Sequence, residues 1–278
     1  RRAGVPFGTH GPTGVDAMNR IPLTLLCLAL AGTAAAAPVS RPIEYTIGDT
    51  SFRSVLVYDD SVATLRPGLV MVPNWMGAND SAVEKAKTIA GKDYVILVAD
   101  VYGASVRPAN GEEAGAAAKA AYADRVALRA RAARAVEELK GQAGKAPLDV
   151  SQLGAIGFCF GGATALEMAR SGLPLAGVVS FHGNLSTTMP AEKGAVRASV
   201  VAINGADDTY VPPEQIAGFQ QEFTAAGADW QFVNLSGAVH CFAEPGQNSP
   251  PGCVYNELAA KRAFRLMDSF FAERFAAK

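Results

Sequence analysis

The sequence predicts a single three-layer α/β domain built on a mostly parallel sheet of eight strands. The chain of 278 residues is 49% hydrophobic and contains 28 glycines, which suits one domain with a well-buried core. Short runs rich in Val, Ile and Leu recur along it, and from the third run onward helical patterns lie between them. Strands that alternate with helices pair in parallel, and the helices then cover both faces of the sheet.

Eight apolar runs are predicted to be strands. They span residues 43–47, 52–58, 69–72, 94–99, 153–156, 178–181, 200–203 and 231–235. The first two leave no room for a helix between them, so we expect them to form a hairpin.

Five helices are predicted at residues 81–90, 112–140, 163–170, 214–226 and 257–275. In the second, arginines 125, 129, 131 and 134 are expected to form the solvated face of one long helix. Aromatic residues are expected in the core, except Trp75, which lies in a Pro-Asn turn after the third strand.

Charge and composition limit the classes of ligand that the protein is expected to bind. A formal net charge of -1, with 18% charged residues, gives no basis for nucleic-acid binding, so we expect a small-molecule ligand. Few histidines and no cysteine pair at ligand spacing predict that no metal is bound. No oligomeric state is predicted.

The N-terminal region is expected to lie outside the domain. Residues 18–37 combine a basic start, an apolar run and a small-residue stretch, the pattern of a secretory signal peptide too short to remain in a membrane. Residues 1–17 are expected to be disordered or to reflect a mis-set gene start. The domain therefore covers residues 38–278, and the protein is predicted to be secreted or periplasmic.

Three cysteines remain after signal removal, and an oxidising compartment favours pairing. Cys241 and Cys253 flank a loop rich in proline and glycine, so a disulfide between them would leave Cys159 free. The alternative, in which Cys241 and Cys253 are both unpaired, stays open.

Cys159 lies at the centre of Gly157-Phe158-Cys159-Phe160-Gly161, between a predicted strand and a predicted helix. This pattern predicts a nucleophile elbow, a turn so tight that the central side chain stands clear of the sheet. A buried cysteine in a glycine-rich turn is the structural alternative.

Candidate partners follow later strands, at the carboxyl edge where ligands bind in α/β sheets. Asp207 and Asp208 follow the seventh strand, and His240 follows the eighth. The order nucleophile, acid, histidine is that of the α/β-hydrolases. His182 also ends a strand, but it precedes the acid and is interpreted as a residue that lines the site or as a structural hydrogen-bonding group.

These residue types suit nucleophilic catalysis. His240 would take the thiol proton of Cys159, and an aspartate would orient the imidazole. The backbone N–H groups of Phe160 and Trp75 would form the oxyanion hole.

The motifs resemble those of the dienelactone hydrolase family, within the α/β-hydrolase superfamily. The similarity rests on residues 157–162, on Gly205-Ala206-Asp207-Asp208 followed by Val211-Pro212, on His240-Cys241-Phe242, and on Asp100-Val101-Tyr102. It implies an α/β-hydrolase fold and hydrolysis of an ester or lactone, without a cofactor, by a triad of Cys159, His240 and Asp208. The acid-loop motif selects Asp208 over Asp207.

Two departures from the family pattern affect the expected substrate. Asn74 stands where the archetype carries a glutamate that primes the thiol, and Ala243-Glu244-Pro245 stands where it carries an arginine for the substrate carboxylate. Arg107, after Tyr102, is either a second anion-binding residue or a solvated loop charge. A neutral ester or lactone therefore fits better than an acidic one. A non-catalytic binding protein and an acyltransferase remain as alternative functions.

Overall fold

The computed structural model describes residues 38–276 and contains the predicted mostly parallel sheet. The two predicted N-terminal segments, residues 1–17 and 18–37, lie outside the described residues. The sheet strands are β1 (Val39–Ile47), β2 (Thr50–Tyr58), β3 (Arg66–Val72), β4 (Val95–Val98), β5 (Leu148–Phe158), β6 (Gly177–Phe181), β7 (Ser199–Gly205) and β8 (Trp230–Leu235). Within residues 38–276 the helices are α1 (Asp80–Ala90), α2 (Gly111–Ala123), α3 (Arg125–Lys140), α4 (Phe160–Arg170), α5 (Pro213–Ala225) and α6 (Glu257–Ala276).

The strand order is β1-β2-β4-β3-β5-β6-β7-β8. The first two strands form the expected antiparallel hairpin, and β2 pairs antiparallel with β4. Every later pairing is parallel. The carboxyl ends of β3, β5, β7 and β8 therefore lie along one edge of the sheet, where the predicted site residues follow them.

Alternation along the strands sends side chains into two cores. In β3, Val70 and Val72 belong to the core that also contains side chains of α3, α4 and α5, whereas Leu69 and Met71 belong to the core that contains side chains of α1 and α6. Both faces are covered by helices, as the apolar character of the strands requires.

Three features differ from the sequence prediction. The helix expected over residues 112–140 is two helices, because Asp124 ends α2 and caps α3 by accepting a hydrogen bond from the Ala127 N–H at 2.9 Å. Residues 182–198 connect β6 to β7 without a helix. A short antiparallel ribbon, β9 (Asn248–Ser249) and β10 (Cys253–Val254), lies after β8.

The interpretation of the α3 arginines as a solvated face is wrong for most of them. The buried carboxylate of Glu167 in α4 lies 3.3 Å from Arg125, 2.7 Å from Arg129 and 3.1 Å from Arg170. Arg131 donates a hydrogen bond to the Val101 carbonyl at 3.0 Å. Arg134 forms the expected helical pair, with Glu138 at i+4. The arginines chiefly tie α3 to α4 and to the loop after β4.

We expect Glu167→Gln to destabilise the protein by about 3 kcal/mol, because it leaves buried guanidinium groups without their carboxylate. Glu138→Gln, which removes the partly exposed carboxylate paired with Arg134, is the matched control and should cost about 0.5 kcal/mol or less. Urea unfolding followed by circular dichroism measures both changes. Equal destabilisation by the two substitutions would contradict a dominant role for the buried cluster.

Candidate active site

Cys159 occupies a strained turn between β5 and α4. Its φ of 54° and ψ of -116° lie in a region that side chains other than glycine rarely adopt. A Cβ on Gly157 would overlap the Gly161 carbonyl, and a Cβ on Gly161 would overlap the Val72 carbonyl at the end of β3. The two glycines therefore permit the close approach of strand and helix that raises the sulfur above the sheet edge.

His240 lies between Cys159 and Asp208. Its Nε2 is 3.1 Å from the Cys159 Sγ, and its Nδ1 is 2.7 Å from the Asp208 Oδ2. Asp208 and His240 are both buried, whereas Asp207 is exposed. The loops after β7 and β8 thus bring a thiol, an imidazole and one of the two candidate carboxylates into hydrogen-bonding reach.

The surroundings of His240 favour its charged form. Burial alone would lower the pKa of this imidazole, but the hydrogen bonds to Asp208 and Cys159 outweigh burial and raise the pKa to about 10. The proton is therefore held at neutral pH, and an imidazolium beside the sulfur stabilises a thiolate.

A cavity of about 500 Å³ opens above the sulfur. Trp75 and Phe160 both line it, and neither of their backbone N–H groups donates to a backbone carbonyl within residues 38–276. Asn74 lines it too, and its Oδ1 accepts a hydrogen bond from the Met76 N–H at 3.0 Å. Trp75 is 41% exposed, so this loop forms part of the cavity mouth.

Tyr102 and Arg107, both predicted for the substrate pocket, are not among the residues that line the cavity above Cys159. The Tyr102 hydroxyl donates to the Trp75 carbonyl at 3.0 Å, so it supports the loop from behind. Arg107 pairs with Asp100 at 2.8 Å and with backbone carbonyls, because this buried carboxylate needs a cation. Arg107 is thereby committed to the loop after β4.

His182 is fully buried and does not line the cavity either. Its ring centroid lies 5.0 Å from that of His240 and 5.1 Å from that of Phe242. Neither ring nitrogen has a hydrogen-bond partner among the described residues. Burial, followed by the charges of His240 and Lys85, lowers the pKa of His182 well below 6.5, so this histidine is neutral.

A disulfide joins Cys241 to Cys253, with an S–S distance of 2.09 Å, and leaves Cys159 as the free thiol of the described chain. Both half-cystines line the cavity. The Val254 N–H donates to the His240 carbonyl at 3.0 Å, so the ribbon segment is attached to the histidine loop twice. The bridge fixes one wall of the cavity.

Several residues at the site were not predicted from the sequence. Tyr122 of α2 and Tyr210 line the cavity, and Lys85 of α1 forms an ion pair with Glu244 beside it. Tyr122 and Lys85 carry no motif, since each reaches the site only through helix packing. The sequence did contain an indication of Glu244, because this residue follows His240 by four positions, where the family carries an arginine.

Residues 38–276 contain neither a candidate metal cluster nor a candidate membrane-spanning helix. No group of three or more His, Cys, Asp or Glu side chains there could hold a metal ion. No helix in the same range is both long and apolar enough to cross a membrane.

Known proteins share both the sequence pattern and the fold. A structure described as a dienelactone hydrolase-like promiscuous phosphotriesterase, P91, from metagenomic libraries is 35% identical, with a TM-score of 0.77 over 85% of this chain and 98% of that one. A structure named m3DLH is also 35% identical, with a TM-score of 0.78 and the same coverage. An uncharacterized protein of Caenorhabditis elegans is 30% identical over 133 residues, which are 46% of this chain and 84% of that protein.

The profile of the dienelactone hydrolase family matches residues 52–275, which span all the site residues described above. The match and the shared fold confirm the resemblance seen in the motifs. This chain belongs to the dienelactone hydrolase family and is a hydrolase of esters or lactones.

Proposed function

We propose that the protein hydrolyses neutral carboxylic esters or lactones through a thioester on Cys159. One observation carries the proposal: the free thiol stands on a strained elbow, 3.1 Å from an imidazole that a buried carboxylate holds at 2.7 Å. A nucleophile, a base and an orienting acid in hydrogen-bonding contact are the requirement for nucleophilic acyl transfer.

The acylation half of the reaction follows from these contacts. The Cys159 thiolate attacks the substrate carbonyl, and the N–H groups of Trp75 and Phe160 stabilise the resulting oxyanion. The C–O bond then breaks, and the His240 imidazolium gives its Nε2 proton to the leaving alkoxide. The products are an alcohol and an acyl thioester on Cys159.

Deacylation uses the same groups in reverse. The neutral His240 takes a proton from water, and the hydroxide attacks the thioester carbonyl. Breaking the C–S bond releases the carboxylic acid and restores the thiolate beside the imidazolium. Asp208 keeps the imidazole in the required tautomer throughout, because its Oδ2 accepts the Nδ1–H.

The charge around the cavity supports an uncharged substrate. Among the described residues no arginine or lysine lines the cavity, while Glu244 does. The candidate anion-binding residue Arg107 is committed to Asp100. A substrate carboxylate would therefore enter a site whose wall offers no arginine or lysine and carries one buried acidic side chain, Glu244, while the His240 imidazolium is already engaged by Asp208 and Cys159.

Cys159→Ala and His240→Ala are each expected to lower kcat/KM for an aryl ester by at least about 10³-fold, because the two groups act as one unit. The double variant should be little worse than either single variant. Steady-state hydrolysis of a p-nitrophenyl ester measures all three. Near-normal turnover by Cys159→Ala would rule out the thiol mechanism, and binding without turnover by the unmodified protein would favour a non-catalytic role.

Asp208→Asn should lower kcat by about 10³- to 10⁴-fold with the fold intact, whereas Asp207→Asn, at the exposed neighbour, should have little effect. The pH profile supplies a second readout. Because the hydrogen bond to Asp208 helps raise the pKa of His240 to about 10, activity of the unaltered protein should persist to about that pH and fall above it. In Asp208→Asn the falling limb should move to lower pH; similar rates for the two asparagine variants would refute the assignment.

A matched substrate pair tests the preference for neutral compounds. A methyl-capped diester and its monoacid, which differ only in one carboxylate distant from the scissile bond, should differ in kcat/KM by at least about tenfold in favour of the diester. A neutral aryl phosphotriester belongs in the same panel, since the P91 relative is described as a phosphotriesterase. Faster turnover of the monoacid would contradict the proposed substrate class.

A further inference from the structure

Lys85 and Glu244 form a buried ion pair beside the elbow. Their side chains are only 12% and 7% exposed, and the Lys85 Nζ contacts the Glu244 Oε2. The same Nζ lies 4.1 Å from the centroid of the Phe158 ring, and Phe158 directly precedes Cys159. A full positive charge is thus held against the last strand residue before the reactive sulfur.

The pair lies where two cavities meet. Glu244 lines the cavity above Cys159 and also a second one, of about 230 Å³, which Lys85 lines. Asn74 likewise lines both. The Glu244 Oε1 is buried and has no partner among the described residues, so the pair is not fully satisfied by its protein contacts.

Stability alone does not explain this arrangement. Taking two charges out of water costs more than a single ion pair usually returns, and apolar residues of the same volume are commonly as stable or more so. Buried charges with incomplete partners occur preferentially at functional sites. Burial lowers the pKa of Lys85, whereas Glu244 and then the Cys159 thiolate raise it. That coupling is reciprocal, because a thiolate that stabilises an ammonium is stabilised by it.

We propose that Lys85, held charged by Glu244, is a positioning residue that stabilises the thiolate of Cys159. The inference rests on the proposed thiol mechanism and extends it to a charge from α1. No covalent step is involved: the thiol proton goes to His240 Nε2, and Lys85 keeps its own protons. In this chain the loop after β3 offers only the uncharged amide of Asn74, so the fixed charge behind the sulfur comes from the Lys85–Glu244 pair.

Other ionisable groups near the sulfur do not supply the same charge. They are His240 and Asp208 from the loops after β8 and β7, Tyr102 after β4, Tyr122 of α2, Tyr210 after β7, and His182 after β6. Burial raises the pKa of Tyr102 and of Tyr122, so both are neutral at ordinary pH. His182 is neutral as well. Lys85 is therefore the second cation, after His240, in this part of the described chain.

The test measures thiolate formation directly, as the pH dependence of Cys159 alkylation by iodoacetamide, read by mass spectrometry of its peptide. Lys85→Met should move the midpoint upward by about one pH unit, because an opposite charge is lost, and the neutral double variant Lys85→Met/Glu244→Gln should move it upward by less, because the like charge of Glu244 is lost with it. Lys85→Arg retains the charge, so its midpoint should stay close to that of the unaltered protein. Lys87→Met, which removes a lysine paired with Glu84 on the same helix, is the matched control and should leave the midpoint unchanged.

A wild-type midpoint in the double variant would overturn the proposal. So would unfolding of both charge-removing variants, seen by circular dichroism, while Lys85→Arg folds, since the pair would then serve stability. Alkylation requires no substrate. A shifted midpoint in a protein that hydrolyses no ester would therefore refute the proposed function alone, and an unshifted midpoint with Cys159-dependent hydrolysis would refute this inference alone.

Discussion

The close contact of three backbone segments at the turn that carries Cys159 is the constraint on which the rest of the site depends. The end of β5, the start of α4 and the end of β3 approach so closely that Gly157 and Gly161 have no room for a Cβ. This contact fixes the positive φ of Cys159 and directs the α4 N-terminus toward the sulfur. It also brings the loop that carries Trp75 alongside, because that loop begins where β3 ends. One steric condition therefore places the proposed nucleophile, the helix dipole and one proposed oxyanion donor together.

Two histidines, one after β6 and one after β8, take opposite protonation states because their partners differ. His240 has a carboxylate on one nitrogen and a thiol on the other, and these hydrogen bonds overcome the cost of burial. The ring centroid of His182 lies 5.0 Å from that of His240. This ring is buried without a hydrogen-bond partner among the described residues, and it stays neutral. The neutral ring lets His182 pack edge-on against His240 without adding a second positive charge beside it. Environment, and not residue type, sets the protonation state of each histidine.

Most of the cavity wall comes from segments with no regular secondary structure or very little, while Tyr122 of α2 and Phe160 of α4 contribute from helices. The disulfide between Cys241 and Cys253 attaches the ribbon of β9 and β10 to the histidine loop, so this wall is covalently anchored. Glu244 lies within this same loop and reaches back to α1. The histidine loop thus holds His240, one half of the disulfide and the acidic partner of Lys85 within five residues. The same loop therefore contributes both to the shape of the cavity and to the charges near the sulfur of Cys159.

The sequence by itself determined the alternation of strands and helices, the elbow around Cys159, and Asp208 and His240 as its candidate partners. Apolar runs, glycine spacing and motif order are local signals, and the sheet edge then requires the residues after its strands to converge. Only the tertiary structure decided where many charged and aromatic side chains lie and which groups they contact. Arg125 and Arg129 of α3 turn inward because Glu167 of α4 faces them. Arg107 does not line the cavity because it pairs with Asp100. Lys85 reaches Glu244 across 159 residues of sequence, a distance at which no periodicity or motif can report a contact. Such pairings depend on how helices pack against the sheet, which sums many weak contacts and is not encoded at any one position.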